Sequence, residues 1–312
     1  MNKINFFLPL ILIGVIVLLF FFPIFKGNIP FPGDLLVGEY SPYSSNSYFG
    51  IATGGVPNKA QGFDIIRMTF PWKEFAIESL ETWQIPLWNP YNFSGTPFMA
   101  NFQSGVFYPF NLLLLIFGIF PGWAMYIIAQ PILAGIFTFL FLRQNNLSKV
   151  ASIFGAITFA FSSYMVVWLE YGIIGHAALW LPLILFLIDK NIKKFTISTC
   201  FLLILSLTLS IFAGYIQVSI YVFIFSFTYL IYKIISEKKK LLLIINYLPI
   251  FVLPLFFSFI QLLPTFELFS QSTRSNFSAD AIKDMLIPLY HTLTIFVPDF
   301  FGNPATRNYW LN

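Results

Sequence analysis

"SGVFYPFNLLLLIFGIFPGWAMYIIAQPILAGIFTFLFL", residues 104–142, carries no charged side chain over a length that would serve two membrane crossings. One crossing takes about 20 apolar residues. Whether this stretch crosses once or twice sets the side on which every later loop falls. Charges on either side of it decide the matter. "KNIKK" at 190–194 and "EKKK" at 237–240 mark cytoplasmic turns, and Arg143 and Lys149 bracket a third, because basic residues collect on the cytoplasmic face. Counting back places residues 26–107 outside and Lys3 inside, so the number of crossings in between is odd. Residues 104–119 therefore read as an interfacial or re-entrant piece and 121–142 as one span. The acids agree: of thirteen, only Asp189 and Glu237 fall on the cytoplasmic face.

Composition excludes a soluble chain, since only 10% of the 312 residues are charged, against about 25% in soluble domains. The net charge of +4 sits in short clusters between apolar runs, which is an orientation signal and not a nucleic-acid footprint. Cys200 is the single cysteine, so there is no disulfide framework. Two histidines, His176 and His291, are too few for a multi-histidine metal centre, and no metal ligand set is read. Residues 6–25 form the first span, an uncleaved anchor because no small-residue cleavage site follows. Further spans lie near 121–142, 150–169, 171–188, 195–213, 214–232 and 241–263. The expected fold is an all-α polytopic membrane protein of about seven transmembrane helices, one domain over 1–312. Its parts are the span 6–25, an outer loop 26–120 with interfacial helices, about six spans in 121–263, and an outer segment 264–312. That segment ends without a closing feature and reads as continuing into further spans of a longer protein.

The outer loop holds two similar strings, "DLLVGEYSPY" at 34–43 and "DIIRMTFPW" at 64–72. Each runs from an Asp through apolar residues to a Pro-aromatic pair, as two short membrane-surface helices would. A carboxylate lifted to the bilayer boundary can act as a general base; a solvated acid or a helix N-cap is the competing account of Asp34 and Asp64. Arg67 either pairs with Asp64 three residues before it or holds a phosphate. Glu39, in the first string, joins the candidate substrate contacts. Near the outer surface lie Glu170, His176 and Gln217. Ionisable groups at membrane depth are costly and often functional, yet His176 also suits a hydrogen-bonded structural role. Gln217 suits sugar hydroxyls or a bond to a neighbouring helix. Glu267 and Arg274, seven apart, can share a helical face, with Arg274 a second phosphate candidate.

The run "FPWKEFAIESLETWQIPLWNPYNFSGTPFMANFQSGVFYPFNLL" at 70–113 closely resembles the first outer loop of the YfhO-type family of bacterial polytopic membrane proteins. "HAALWLPL", "AGYIQVSIY", "QLLPTFEL", "STR" and "VPDFFGN" follow in the family's order. The resemblance implies a GT-C-like glycosyltransferase bundle with a large first extracytoplasmic loop, in a bacterial cell membrane. It implies a polyprenyl-phosphate-linked sugar donor, a cell-wall polymer, lipid or protein acceptor, and an acidic catalytic residue of that loop, here Asp64 or Asp34. A divalent cation serves some such enzymes and not others. Tryptophan and tyrosine belong at membrane interfaces, so the uncharged segment 84–113 fits an aromatic layer on the outer leaflet, with "PLWNPYNFSGTPF" packing the loop against the bilayer. Its Asn and Gln residues suit sugar contacts, and Asn89, Asn92 and Gly95 suit structural turns at least as well. The alternative is a non-enzymatic transporter or envelope-assembly protein of the same architecture. A transporter would need polar groups at mid-membrane, and the spans are nearly free of charge.

Overall fold

A computed structural model describes residues 3–47, 63–235, 240–273, 278, 280, 283, 286–303 and 308–310. Its helices, in chain order, are α1 (Lys3–Phe20), α2 (Asp34–Glu39), α3 (Phe70–Glu81), α4 (Asn111–Phe117), α5 (Ile119–Gln144), α6 (Lys149–Ala160), α7 (Ser163–Val167), α8 (Ile174–Ala178), α9 (Trp180–Lys193), α10 (Ile197–Phe212), α11 (Ile216–Ile235), α12 (Lys240–Phe257) and α13 (Phe259–Ser270). A two-residue ribbon, β1 (Trp88–Asn89) against β2 (Thr96–Pro97), interrupts them, with Trp88 opposite Pro97 and Asn89 opposite Thr96. The chain forms two compact units, residues 1–30 with 72–265 and residues 31–71 with 266–312.

The first unit is a helical bundle. Four of its stretches are long and apolar enough to cross a membrane: Ile119–Gln144, Lys149–Val167, Ile174–Lys193 and Ile216–Ile235. A fifth is the pair Tyr247–Phe257 and Phe259–Ser270, bent by 65°. The break at residue 258 lies between Pro254 of α12 and Pro264 of α13, each of which removes a backbone donor and crowds the preceding turn. Two shorter apolar helices, Phe7–Phe20 and Ile197–Phe212, occupy the other apolar runs. Length alone thus supports four or five crossings among the described residues, where the apolar runs suggest about seven.

Residues 104–142 resolve into two unequal helices. The seven-residue α4 is far too short to cross. Gly118 (φ +82°) then reverses the chain into the 26-residue α5. The pair packs backbone to backbone: a Cβ on Gly122 of α5 would come within 2.4 Å of Leu114 Cα on α4. Small residues permit such approaches where no hydrophobic force drives helices together. Ile13, Phe139 and Ala156 knit α1, α5 and α6 into a core. Ser148, Ser162 and Thr196 cap α6, α7 and α10 by accepting the amides of Ala151, Met165 and Thr199.

In the second unit α2 is followed, across the chain's undescribed residues, by a π-helical turn at Ile65–Thr69. Leu35, Val37 and Ile65 are buried there, and Phe31 packs on Phe70 at 4.8 Å. Tyr290, His291 and Trp310 gather round Phe301 farther along the chain.

Candidate functional site

Within the second unit the two Asp-bearing strings meet. Arg67 Nε donates to the Tyr40 hydroxyl, and the guanidinium carbon lies 5.4 Å from the Tyr40 ring centroid and 4.8 Å from that of Phe63. A cation held on two aromatic faces keeps its remaining N–H groups free in direction, which suits an oxyanion. Among the described residues no ion pair joins Arg67 to Asp64. The wider π-turn replaces the α-helical spacing on which that pairing rested. Asp64 is exposed and its carboxylate caps no helix. Asp34 opens the first turn of α2, half-buried, and Glu39 at the end of α2 is exposed. Glu267 is exposed, with its carbonyl accepting the Ser270 hydroxyl. Arg274 lies outside the described residues.

The first unit holds a polar knot that the sequence did not single out. Helix α3 buries Lys73, Ala76 and Ile77 along one stripe and exposes Glu74, Glu78 and Glu81 on the other. Lys73 is 1% exposed. Its amine donates to Asn111 Oδ1 at 2.9 Å and to the Gly105 carbonyl at 3.5 Å, and sits 5.3 Å from the Tyr126 ring centroid. Asn111 Nδ2 donates in turn to the carbonyls of Gly105 and Val106. The signal was there: Lys73 has the spacing of the apolar stripe, not of the three glutamates.

His176 belongs to the same knot. Its Nδ1 lies 3.1 Å from the Tyr108 hydroxyl and its Nε2 lies 3.0 Å from the Tyr126 carbonyl. A carbonyl can only accept, so Nε2 carries the proton and Tyr108 donates to Nδ1. Burial raises the Tyr108 phenol well above its ordinary range, which keeps it a donor. Both ring nitrogens are thereby occupied by the protein's own groups, an arrangement that suits the structural alternative. Gln217 also finds a partner, though not on a neighbouring helix: its Nε2 donates to Tyr221 on the same turn of α11, at 2.8 Å.

Burial lowers the Lys73 amine from 10.5 to about 7. Among the described residues the titratable groups that face it are Tyr126 and His176, neither of them a carboxylate. The unfolded chain binds this proton up to pH 10.5 and the folded one releases it near 7, so stability is flat below 7 and rises with pH between the two values. One proton corresponds to about 1.4 kcal/mol per pH unit. Melting of the detergent-solubilised protein is expected to rise from pH 7 to pH 9, and Lys73→Met to lose that rise. Equal slopes in the two proteins would refute the burial of a titrating amine.

The uncharged aromatic segment divides at β2. Downstream, Phe98 and Val106 pack on Ala76, and the carbonyls of Met99 and Ala100 accept from Gln261 and Thr265 of α13. Upstream, Asn89 Oδ1 accepts the Tyr91 amide, Asn89 Nδ2 donates to Asn92 Oδ1, and the Gly95 amide donates to the Asn92 carbonyl. A Cβ on Gly95 would strike the Trp88 indole at 2.5 Å. Asn89, Asn92 and Gly95 thus build the turn. Among the described residues no group of three or more His, Cys, Asp or Glu side chains is placed to hold a metal ion.

Residues 99–308 match the family model described as bacterial membrane protein YfhO. No curated protein and no solved structure matches the chain.

Proposed function

The chain belongs to the YfhO family of bacterial membrane proteins, and from that premise we propose that it is a GT-C-type membrane glycosyltransferase. It moves a sugar from a polyprenyl-phosphate carrier to a cell-envelope acceptor on the outer face of the membrane. The observation that carries this reading is the joining of the two Asp-bearing strings by Arg67 and Tyr40. A base and an oxyanion-binding cation are what a phosphate-leaving sugar transfer requires. In the reaction Asp64 or Asp34 accepts the acceptor's hydroxyl proton as its oxygen bonds to the anomeric carbon. The bond from that carbon to the phosphate oxygen breaks, and the polyprenyl phosphate leaves with the electron pair. Arg67 offsets the charge gathering on the phosphate. Glu39 and Glu267, both exposed, and Arg274 are assigned to substrate contact. Exposed Gln217 is assigned to substrate contact with them, and His176, both of whose ring nitrogens are engaged, orients Tyr108 beside the Lys73 knot.

Asp64→Asn and Asp34→Asn in the full-length protein test the assignment. Loss of the general base is expected to slow sugar transfer about 10²–10⁴-fold in one of them, with unchanged membrane insertion and yield. Full transfer in both variants would remove both carboxylates from the chemistry.

A further inference from the structure

The segment between α3 and β2 presents a row of large apolar side chains that nothing in the first unit covers. Trp83 is 96% exposed and Phe93 92%; Ile85, Leu87, Trp88 and Tyr91 are each more than half exposed. Scattered apolar residues are ordinary on any surface, but a contiguous row marks a contact.

The backbone holds the row out at a cost. The amide of Gln84 donates to the Ser79 carbonyl and that of Trp83 to the Leu80 carbonyl, the two bonds of a Schellman helix ending. Glycine usually fills the left-handed position of that motif. Trp83 fills it here, at φ 57°, and Phe93 and Ser94 are also left-handed, at 52° and 65°. Such a backbone is unfavourable for a residue with a side chain and persists only where its surroundings enforce it. The two helix-ending bonds enforce it at Trp83, and the Asn89–Asn92–Gly95 turn enforces it at Phe93 and Ser94. Strain that projects tryptophan and phenylalanine into water would be doubly unfavourable, whereas burying both rings offsets it.

What buries them is indicated by charge. From Thr82 to Leu142 the chain has no Asp, Glu, Lys or Arg, so the row lies in the same uncharged stretch of sequence as α4 and the apolar α5. On α4, Leu112, Ile116 and Phe117 are exposed as well. Tryptophan and tyrosine among aliphatic residues are the composition of a membrane–water boundary. A protein partner's footprint would carry a polar rim with arginine; the charges that precede the row along the chain are the acids Glu74, Glu78 and Glu81 on the exposed stripe of α3. We propose that residues 83–93 are a rigid wedge that inserts into the headgroup–acyl boundary of the lipid leaflet, drawn in by apolar burial and not by anionic lipid. The wedge does not rest on the sugar-transfer reading.

The test uses the full chain in a Cys200→Ser background, with a single cysteine at position 83, 93 or 78 carrying an environment-sensitive fluorophore. The three proteins are reconstituted in phosphatidylcholine bilayers with or without bromine-bearing acyl chains. Labels at 83 and 93 are expected to emit at shorter wavelength than the label at 78. Brominated lipid should at least halve their intensity and leave position 78 unchanged. Adding phosphatidylglycerol or salt should alter neither result. Water-like emission at either tip position overturns the proposal. So does blue-shifted emission that brominated lipid fails to quench, because then a protein surface covers the tip, or quenching that appears only with anionic lipid.

Discussion

Gly122→Ala is expected to destabilise the protein by on the order of 3 kcal/mol, at or beyond the upper end of the usual overpacking cost. The added methyl meets Leu114 Cα at 2.4 Å, the Leu113 carbonyl oxygen at 2.5 Å and the Leu114 nitrogen at 2.7 Å. All three are backbone atoms, so no side-chain rotation relieves the contact. Only a shift of α4 away from α5 does. Such a shift would drag Asn111, at the start of α4, off the Lys73 amine. Two other glycines calibrate the effect. A Cβ at Gly155 meets Leu142 Cδ1 at 2.5 Å, the far end of a flexible chain, and at Gly14 nothing lies within 4 Å. Gly155→Ala should therefore cost little. Gly14→Ala should stabilise slightly, by roughly 0.5–1 kcal/mol, since alanine suits a helix interior better than glycine. The measurement is the thermal unfolding midpoint of the three purified variants in one detergent. If Gly122→Ala melts with Gly155→Ala, the close packing of α4 on α5 is wrong.

That same pair shows what a sequence of this kind reveals. The uncharged run 104–142 announces membrane-embedded chain, and counting charged turns demands an odd number of crossings. Gly118 is where the short and long helices part. Helix identity was legible because apolar length and charge position are local. The bend between α12 and α13 was less so: its prolines are visible, yet a proline alone does not say whether a helix bends, and 65° was not foreseen.

The site was legible only in part, and distance along the chain explains which part. The likeness of the strings at 34–43 and 64–72 suggests two surface helices but not that they meet, since the bond that joins them links residues 27 apart. Of the two readings of Arg67, pairing with Asp64 assumes α-helical spacing, and the π-turn lacks it. Lys73 passed unnoticed because its partners, Gly105 and Asn111, are 32 and 38 residues away. For His176 the sequence leaves a functional and a structural role open, because the partners of its two nitrogens are 50 and 68 residues away. Polar residues in an apolar chain are read as functional by default, and the bundle satisfies many of them internally.

The end of the bundle remote from Lys73 carries the second large effect. Asp189, 4% exposed at its side chain, pairs with Lys233 Nζ at 2.9 Å. Its carboxylate also accepts the Tyr229 hydroxyl at 2.9 Å and Asn145 Nδ2 at 3.1 Å. One carboxylate thereby ties the last turn of α9 to α11 and to the end of α5, three helices running in the same direction. Removing one partner of a buried pair costs about 3–5 kcal/mol because the other is left uncompensated. Lys233 is 29% exposed and can turn its amine toward water, so Asp189→Ala should fall at the low end, about 3 kcal/mol. Lys233→Met strands the more buried charge, and Asp189 then retains only the Tyr229 and Asn145 donors. If the ion pair is the common element, the double variant Asp189→Asn/Lys233→Met should cost clearly less than the sum of its single variants, with a coupling of about 1–3 kcal/mol. Additive losses would mean that Asp189 stabilises the bundle through its neutral hydrogen bonds alone.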